Sequence, residues 1–421
     1  MARKKRFAVI GTGGRSGMFW NALVKDKEIR KHNRLVALMD SNAKRMDFVE
    51  GAAGRKLPKY KPHQFDLMVR KEKVDGIVVT TRDSVHDLYI VKGLKKGLKV
   101  VTEKPMTTDE HKCQRILDAL KGREKNLVVT FNYRYAPHNT RVKELIREGA
   151  IGEVTMVELQ WYLDVTHGAD YYRRWHRQKT NSGSLWVHKA THHFDLVNWW
   201  TGSVPEKVYA LGTRRFYRPE TFEPRERCLT CDAKKKCPFF LDIGKKEGLQ
   251  KMYLEAEAED GYFRDRCVFS ADVDIWDTRA ATVQYSNGMI LSYSLNNYAP
   301  FEGYRLGVVG TGGRIDLFVH EHAYVNAGGK RELEGAAKGL MLRVCPQFKK
   351  PYEPRIKKAS GGHGGGDVRL LADCFLPRRK KDPLKTAAGG VDGARSILVG
   401  VAARRSIEWG RPVRIDELVS F

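Results

Sequence analysis

Residues 6–17 read Arg-Phe-Ala-Val-Ile-Gly-Thr-Gly-Gly-Arg-Ser-Gly. A short apolar run leads straight into Gly11 and Gly13, and a helix-forming stretch follows. Glycine at the first position permits a tight strand-to-helix turn, and at the second it lets the backbone approach a pyrophosphate. Amide groups at the helix start then meet the phosphate charge. Ser16 holds the third glycine position of such a turn, with Gly17 next. Further on, Leu35-Val-Ala-Leu-Met39 ends in Asp40, whose carboxylate can accept hydrogen bonds from an adenosine ribose and repels a 2′-phosphate. Gly11, Thr12, Gly13, Gly14, Arg15, Ser16 and Asp40 are therefore candidate dinucleotide contacts, with NAD favoured over NADP. Lys44 and Arg45, beside Asp40, pull the other way.

The same rhythm continues outward. Phe7–Ile10, Leu35–Met39, Ile77–Thr80, Lys99–Thr102 and Leu127–Phe131 are expected strands, each separated by enough chain for a crossover helix. They predict an α/β dinucleotide-binding domain over residues 1–133, a doubly wound parallel (Rossmann) sheet. From Glu153 longer alternating strands follow: Val154–Tyr162, Ala281–Tyr285, Met289–Leu295 and Arg305–Val309, with turn signals such as Ser286-Asn287-Gly288. These predict a second α/β domain over 134–421 with a mostly antiparallel open sheet. Gly310-Thr-Gly-Gly-Arg314 nearly repeats the first glycine motif, but strand-like residues follow it, so a β-turn is expected there. A charged, cysteine-containing insertion spans 218–270. A flexible stretch over 347–366 carries His363 as a lid or a linker, and a helix is expected over 393–409.

The chain has 421 residues, and 76 Lys plus Arg against 50 Asp plus Glu give a formal charge of +26. A hydrophobic fraction of 42% supports a large core and excludes wholesale disorder. No apolar run is long enough for a transmembrane helix. The basic start lacks a signal-like apolar region, and seven cysteines are too few for a secreted disulfide framework, so a soluble, unprocessed, cytoplasmic protein is expected. Residues 1–150 hold 34 basic and 17 acidic side chains, whereas 151–327 hold 22 and 23. No long Lys/Arg tract or nucleic-acid module accompanies the excess, so nucleic acid is not the expected partner.

Thr80-Thr-Arg-Asp-Ser-Val-His86 closes the third expected strand and Val101-Thr-Glu-Lys-Pro105 the fourth. Both sit at carboxyl ends of parallel strands, where open α/β sheets bind ligands. Thr80, Thr81, His86, Glu103, Lys104 and Asn132 are candidates for the coenzyme side. With Phe131-Asn-Tyr-Arg-Tyr135, Gly149-Ala-Ile-Gly-Glu153 and Ser182-Gly-Ser-Leu-Trp-Val-His-Lys-Ala-Thr-His-His-Phe-Asp195, the chain resembles the Gfo/Idh/MocA (glucose-fructose oxidoreductase and inositol dehydrogenase) family along essentially its whole length. The resemblance implies an NAD(P)-dependent oxidoreductase acting on a CH–OH group of a sugar, cyclitol or derivative, assembled as a homo-oligomer through its open sheet face. It implies Lys104 as active-site lysine, aimed by a commonly cis Pro105, His192 as general acid/base and Asp195 as a substrate ligand. An ammonium beside a hydroxyl stabilises the developing negative oxygen during hydride removal.

On one continuous helix His188, His192 and Asp195 would share a face. His188 stands where many members of the family carry a carboxylate, which predicts a rewired proton path with His188 or Lys189 contacting substrate. Arg134 is a further candidate substrate contact. A metal site using His188, His192 and His193 is the alternative reading. Upstream, His167-Gly-Ala-Asp-Tyr-Tyr-Arg-Arg-Trp-His176 offers Asp170, Tyr171, Arg174 and His176 as sugar contacts or as structural groups. Cys228, Cys231, Cys237 and Cys267 are candidate ligands of a structural zinc or an iron-sulfur cluster, against free thiols or a disulfide. Cys113, Cys345 and Cys374 are expected as isolated buried thiols. Two other functional readings stand beside the oxidoreductase: a redox-neutral glycosidase or lyase working through a transient keto-sugar, and a non-enzymatic nucleotide-sensing or nucleic-acid-binding protein.

Overall fold

The structure is a computed structural model that describes residues 3–322, 335–357, 362–377 and 382–421. Its first sheet contains β1 (Lys5–Ile10), β2 (Asn33–Met39), β3 (Lys59–Tyr60), β4 (Gly76–Val79), β5 (Lys99–Thr102) and β6 (Leu127–Val129). All pairings are parallel, in the order β3-β2-β1-β4-β5-β6. Helices cover both faces, which is why β1, β4 and β5 are continuous apolar runs instead of alternating ones. Asp26, Asn42 and Asp109 cap the helices that follow them by accepting backbone N–H bonds. Chain order reverses between β1 and β4, and the crevice that opens there at the carboxyl ends of the strands is the usual ligand position in such sheets.

The second sheet comprises β7 (Val154–Asp164), β8 (Pro205–Thr213), β9 (Thr278–Tyr285), β10 (Ile290–Ala299), β11 (Glu302–Gly310), β12 (Gly313–Glu321), β13 (Ala337–Pro346) and β14 (Val413–Arg414). Their order is β13-β12-β11-β7-β10-β9-β8-β14, antiparallel except for the parallel β7–β10 pair. Strict in–out alternation in β9, β10 and β12 buries one face against helices and leaves the other to solvent. Thr311-Gly312 forms the turn of the β11–β12 hairpin, the bland role expected for the second glycine motif. The C-terminal helix runs Gly390–Trp409, three residues longer at its start than expected. Gly400 lets it approach Trp186, whose carbonyl would lie 2.2 Å from any Cβ there.

Three differences from the sequence expectations follow, of which the first two concern the site. The segment between β8 and β9, containing the insertion, folds back onto the first domain. Of the expected flexible stretch, residues 358–361 lie outside the described residues, while His363, Gly364 and Gly365 take left-handed conformations and a helix runs on from them to Phe375. Cys345 is only half-buried, whereas Cys113 and Cys374 are buried as expected.

Candidate active site

The coenzyme side is built mainly from backbone. Gly11 has φ +87°, and a Cβ there would sit 2.6 Å from Thr80 and Thr81 backbone atoms, so glycine is required both by conformation and by space. The Asp40 carboxylate accepts from the Thr12 amide at 2.6 Å, the Thr12 hydroxyl at 2.8 Å and the Asn42 amide at 2.9 Å. It thus ties the end of β2 to the glycine turn. Ser16 donates its hydroxyl to the Gly13 carbonyl at 2.7 Å, which closes the turn without a third glycine. Thr80 donates to the Gly11 carbonyl at 2.6 Å. This cradle, with its acidic wall and an amide-lined helix start, fits a dinucleotide.

At the carboxyl edge a cavity of about 310 Å³ lies between the two domains. Gly14, Arg15, Thr80, Thr81, His86, Glu103 and Asn132 line its coenzyme side; His188, Lys189, His192, Asp170, Tyr171, Arg174 and His176 line the other, toward which Lys104 reaches. Lys104 precedes a cis Pro105. Burial lowers the Lys104 ammonium to about 8, against the upward pull of Glu103, with Lys189 adding to the depression. Its Nζ donates to the His188 carbonyl at 3.3 Å, and Glu103 is held by Arg15 Nε at 2.7 Å. His192 packs edge-on against Phe131 and Tyr133, its Nδ1 is buried with no hydrogen-bond partner among the described residues, and desolvation holds its pKa well below the usual histidine range. A lysine poised to change charge near neutrality and a neutral histidine thus share one wall.

Some expected contacts have other employment. The helix carrying them breaks at Lys189 into Leu185–His188 and Ala190–Thr201, so the three-residue face is incomplete. His188 and His192 reach the cavity, while Asp195 turns away into a buried bidentate pair with Arg134, at 2.6 and 2.8 Å. Burial pushes the Asp195 carboxyl up to about 7 while Arg134 pulls it back. Neither residue lines the cavity, which corrects the expectation that both touch substrate. His86 has both ring nitrogens facing carbonyls, of Pro105 at 2.9 Å and Thr81 at 3.1 Å, and so clips the two coenzyme-side turns together. Asp170 lies between Arg264, 2.5 Å away, and Arg174, 3.2 Å away. His193 stacks on Trp161 and bonds the Tyr293 hydroxyl at 2.7 Å, away from any ligand set with His188 and His192.

The sequence reading missed several wall residues. Asp83, from the β4 turn, shares a 2.5 Å hydrogen bond with His188 Nδ1, and burial raises its carboxyl well above the usual range. A carboxyl group therefore stands beside His188 after all, supplied from the other domain. Glu302 and Glu321, from β11 and β12, reach the cavity under Lys189; burial raises both to about 7. Glu302 bonds His167 at 3.0 Å, and Glu321 accepts from the Tyr133 hydroxyl at 3.1 Å. His363 bonds Asn132 at 3.0 Å and sits edge-on to Tyr133, so this residue of the glycine-rich stretch forms part of the wall. Of these, Asp83 carried a usable sequence signal, its place in the turn after a parallel strand, and His363 was expected only as part of a lid or a linker.

The four insertion cysteines surround one small cavity, but all are free thiols. Among the described residues no three His, Cys, Asp or Glu side chains converge as a metal ion requires. Nothing among the described residues therefore supports the zinc or cluster expectation, nor the histidine alternative. No helix among the described residues is long and apolar enough to cross a membrane.

A doubly wound sheet with a glycine cradle, and a lysine and histidine at its carboxyl edge, define a dinucleotide-dependent enzyme class. Family models agree: residues 5–131 match the oxidoreductase family's NAD-binding Rossmann fold, and residues 143–415 its C-terminal alpha/beta domain. The chain is 39% identical over 409 residues to YteT of Bacillus subtilis (strain 168), named as an oxidoreductase without a substrate, covering 92% of each chain. Its fold is similar to the aldose-aldose oxidoreductase of Caulobacter crescentus complexed with glycerol, at TM-score 0.63 and 18% identity over 98% of this chain and 100% of that one. The WlbA dehydrogenase of Bordetella pertussis, in complex with NADH and UDP-GlcNAcA, gives TM-score 0.63 and 18% identity over 98% and 99%. The chain belongs to the Gfo/Idh/MocA oxidoreductase family and is an NAD(P)-dependent oxidoreductase.

Proposed function

We propose that the enzyme uses NAD to oxidise a CH–OH carbon of a sugar, cyclitol or derivative, or NADH to reduce the matching ketone. The observation that carries this is the joint presence of Lys104 and His192 on one buried cavity wall, facing polar and aromatic groups suited to a polyol. Bound NAD supplies the hydride acceptor. Lys104, still an ammonium below about pH 8, polarises the substrate oxygen. His192, kept neutral by burial, receives the hydroxyl proton, and the Asp83–His188 pair beside Lys104 orients the wall. Asp170, Tyr171, Arg174, His176, His188 and Lys189 bind and orient the hydroxyls. The names of two structurally similar proteins, an aldose oxidoreductase and a dehydrogenase complexed with a sugar nucleotide, favour this substrate class.

NAD is favoured over NADP because Asp40 bounds the cradle and the half-buried Arg45 pairs with Asp260 at 2.8 Å. The solvent-facing side of the second sheet, with exposed Tyr209, Leu211 and Ile290, supports assembly of copies there. A redox-neutral cycle through a transient keto-sugar is the second reading, favoured by the segment that covers the coenzyme groove. A panel of sugars, cyclitols and sugar acids assayed for coenzyme reduction tests the proposal. It expects reduced coenzyme with at least one class, lost in Lys104→Ala while coenzyme affinity holds; turnover undiminished in Lys104→Ala refutes it.

A further inference from the structure

The insertion was read from its cysteines, yet its most specific contacts lie elsewhere. Its helical segment, residues 247–262, crosses from the second domain to the glycine turn and to the loop after Asp40. Tyr253 Oη accepts from the Gly14 amide at 3.0 Å. That amide belongs to the helix-start donors that a pyrophosphate takes in such cradles. Around it the segment is latched to the adenosine end of the groove. Asn42 donates to the Ala256 carbonyl at 2.8 Å, the Ala43 amide donates to Glu259 at 2.6 Å, and Arg45 pairs with Asp260 at 2.8 Å. The Arg45 guanidinium also lies 5.7 Å from the ring centres of both Tyr253 and Tyr262. An apolar cluster of Ile243, Leu249 and Tyr253 packs the segment together.

We propose that Tyr253 is a coenzyme-site residue contributed by the insertion, and that residues 247–262 form a clasp through which NAD must pass. A phenol oxygen on the Gly14 amide and a phosphate oxygen on the same donor exclude one another. Coenzyme therefore enters when the clasp lifts and leaves when it lifts again. The inference rests on the glycine cradle as the dinucleotide site, not on the identity of the sugar.

The test uses the full-length enzyme and NADH in the absence of sugar, following bound-coenzyme fluorescence by stopped flow. Tyr253→Phe removes the hydroxyl latch and keeps the ring; Glu259→Gln weakens a second latch far from Tyr253. Tyr253→Phe is expected to speed association by about tenfold, the scale of one hydrogen bond, with release unchanged, because its bond to Gly14 exists only in the coenzyme-free enzyme; Glu259→Gln, whose latch can close over bound coenzyme, is expected to speed both association and release. Kd is expected to fall about tenfold in Tyr253→Phe and to change little in Glu259→Gln. Amide exchange of residues 250–262 is expected to speed up in the same variants. Unchanged rates in both variants overturn the clasp. A faster release with unchanged association also overturns it, because Tyr253 is then an ordinary coenzyme contact and not a gate. If NADH does not bind the wild-type enzyme at all, the cradle assignment itself fails, a result distinct from either.

Discussion

The two sides of the cleft solve the ligand problem with different materials. The coenzyme side is a backbone device: a glycine with φ +87°, a helix start and one carboxylate that ties Thr12 to Asn42. It comes from contiguous residues at the ends of β1 and β2. The substrate side is a side-chain device, assembled from Asp83 and Lys104 of the first domain, His188 and His192 of a broken helix, Glu302 and Glu321 of sheet strands, and His363 beyond them. A backbone cradle binds a constant ligand at little cost in buried charge. A wall of titratable groups desolvates charge, which shifts protonation equilibria and so serves proton transfer.

The comparison breaks most sharply at Lys104. Lys104→Ala is expected to lower kcat/KM by about 10³-fold, the scale of one preorganised charge-stabilising group, while NADH affinity stays within about twofold. A comparable loss of coenzyme affinity would place Lys104 on the backbone device instead. Next comes Asp195→Ala, which leaves the buried Arg134 only Asp392 and the Lys385 carbonyl, each at 3.2 Å, and is expected to destabilise the fold by about 1.5–3 kcal/mol, read by denaturant unfolding, with KM of the surviving enzyme nearly unchanged. A raised KM with intact stability would return Asp195 to the substrate wall.

The pH profile gives a smaller but signed effect. Burial depresses Lys104 from 10.5 to about 8, so the ammonium is present below that value and is lost above it. The alkaline limb of kcat/KM is expected near pH 8. Glu103 raises the Lys104 pKa, so Glu103→Gln should move that limb to lower pH. A limb above pH 10 would show that the lysine is not in the buried environment described. The smallest effect concerns coenzyme choice: Asp260→Asn frees Arg45 and is expected to shift preference toward NADP by less than about tenfold, measured by competitive titration of the two coenzymes.

Legibility in the sequence follows the same division. The glycine turn, Asp40 and the carboxyl-end loops are local patterns, and the parallel and antiparallel sheets follow from strand texture. Strand β3 escaped because two residues at a sheet edge, Lys59 and Tyr60, carry no periodicity. On the substrate wall His188 and His192 were legible from spacing, but Asp195 was misplaced because the break at Lys189 removes the helical phase that links them. Glu302 and Glu321 sit on strands where a polar inward residue reads as noise until tertiary packing gathers them. Tyr253 lay in a segment whose cysteines drew attention, and nothing local says that it crosses to Gly14, 239 residues away in sequence.

The most direct test of the oxidoreductase assignment is a single-turnover reaction with enzyme in excess over a sugar or cyclitol and with NAD present, quantifying reduced coenzyme and product together. Net oxidation at the Lys104–His192 wall predicts one reduced coenzyme per ketone formed, both persisting after the turnover. Product formed with the coenzyme returned to its oxidised state would contradict that account in favour of a redox-neutral cycle.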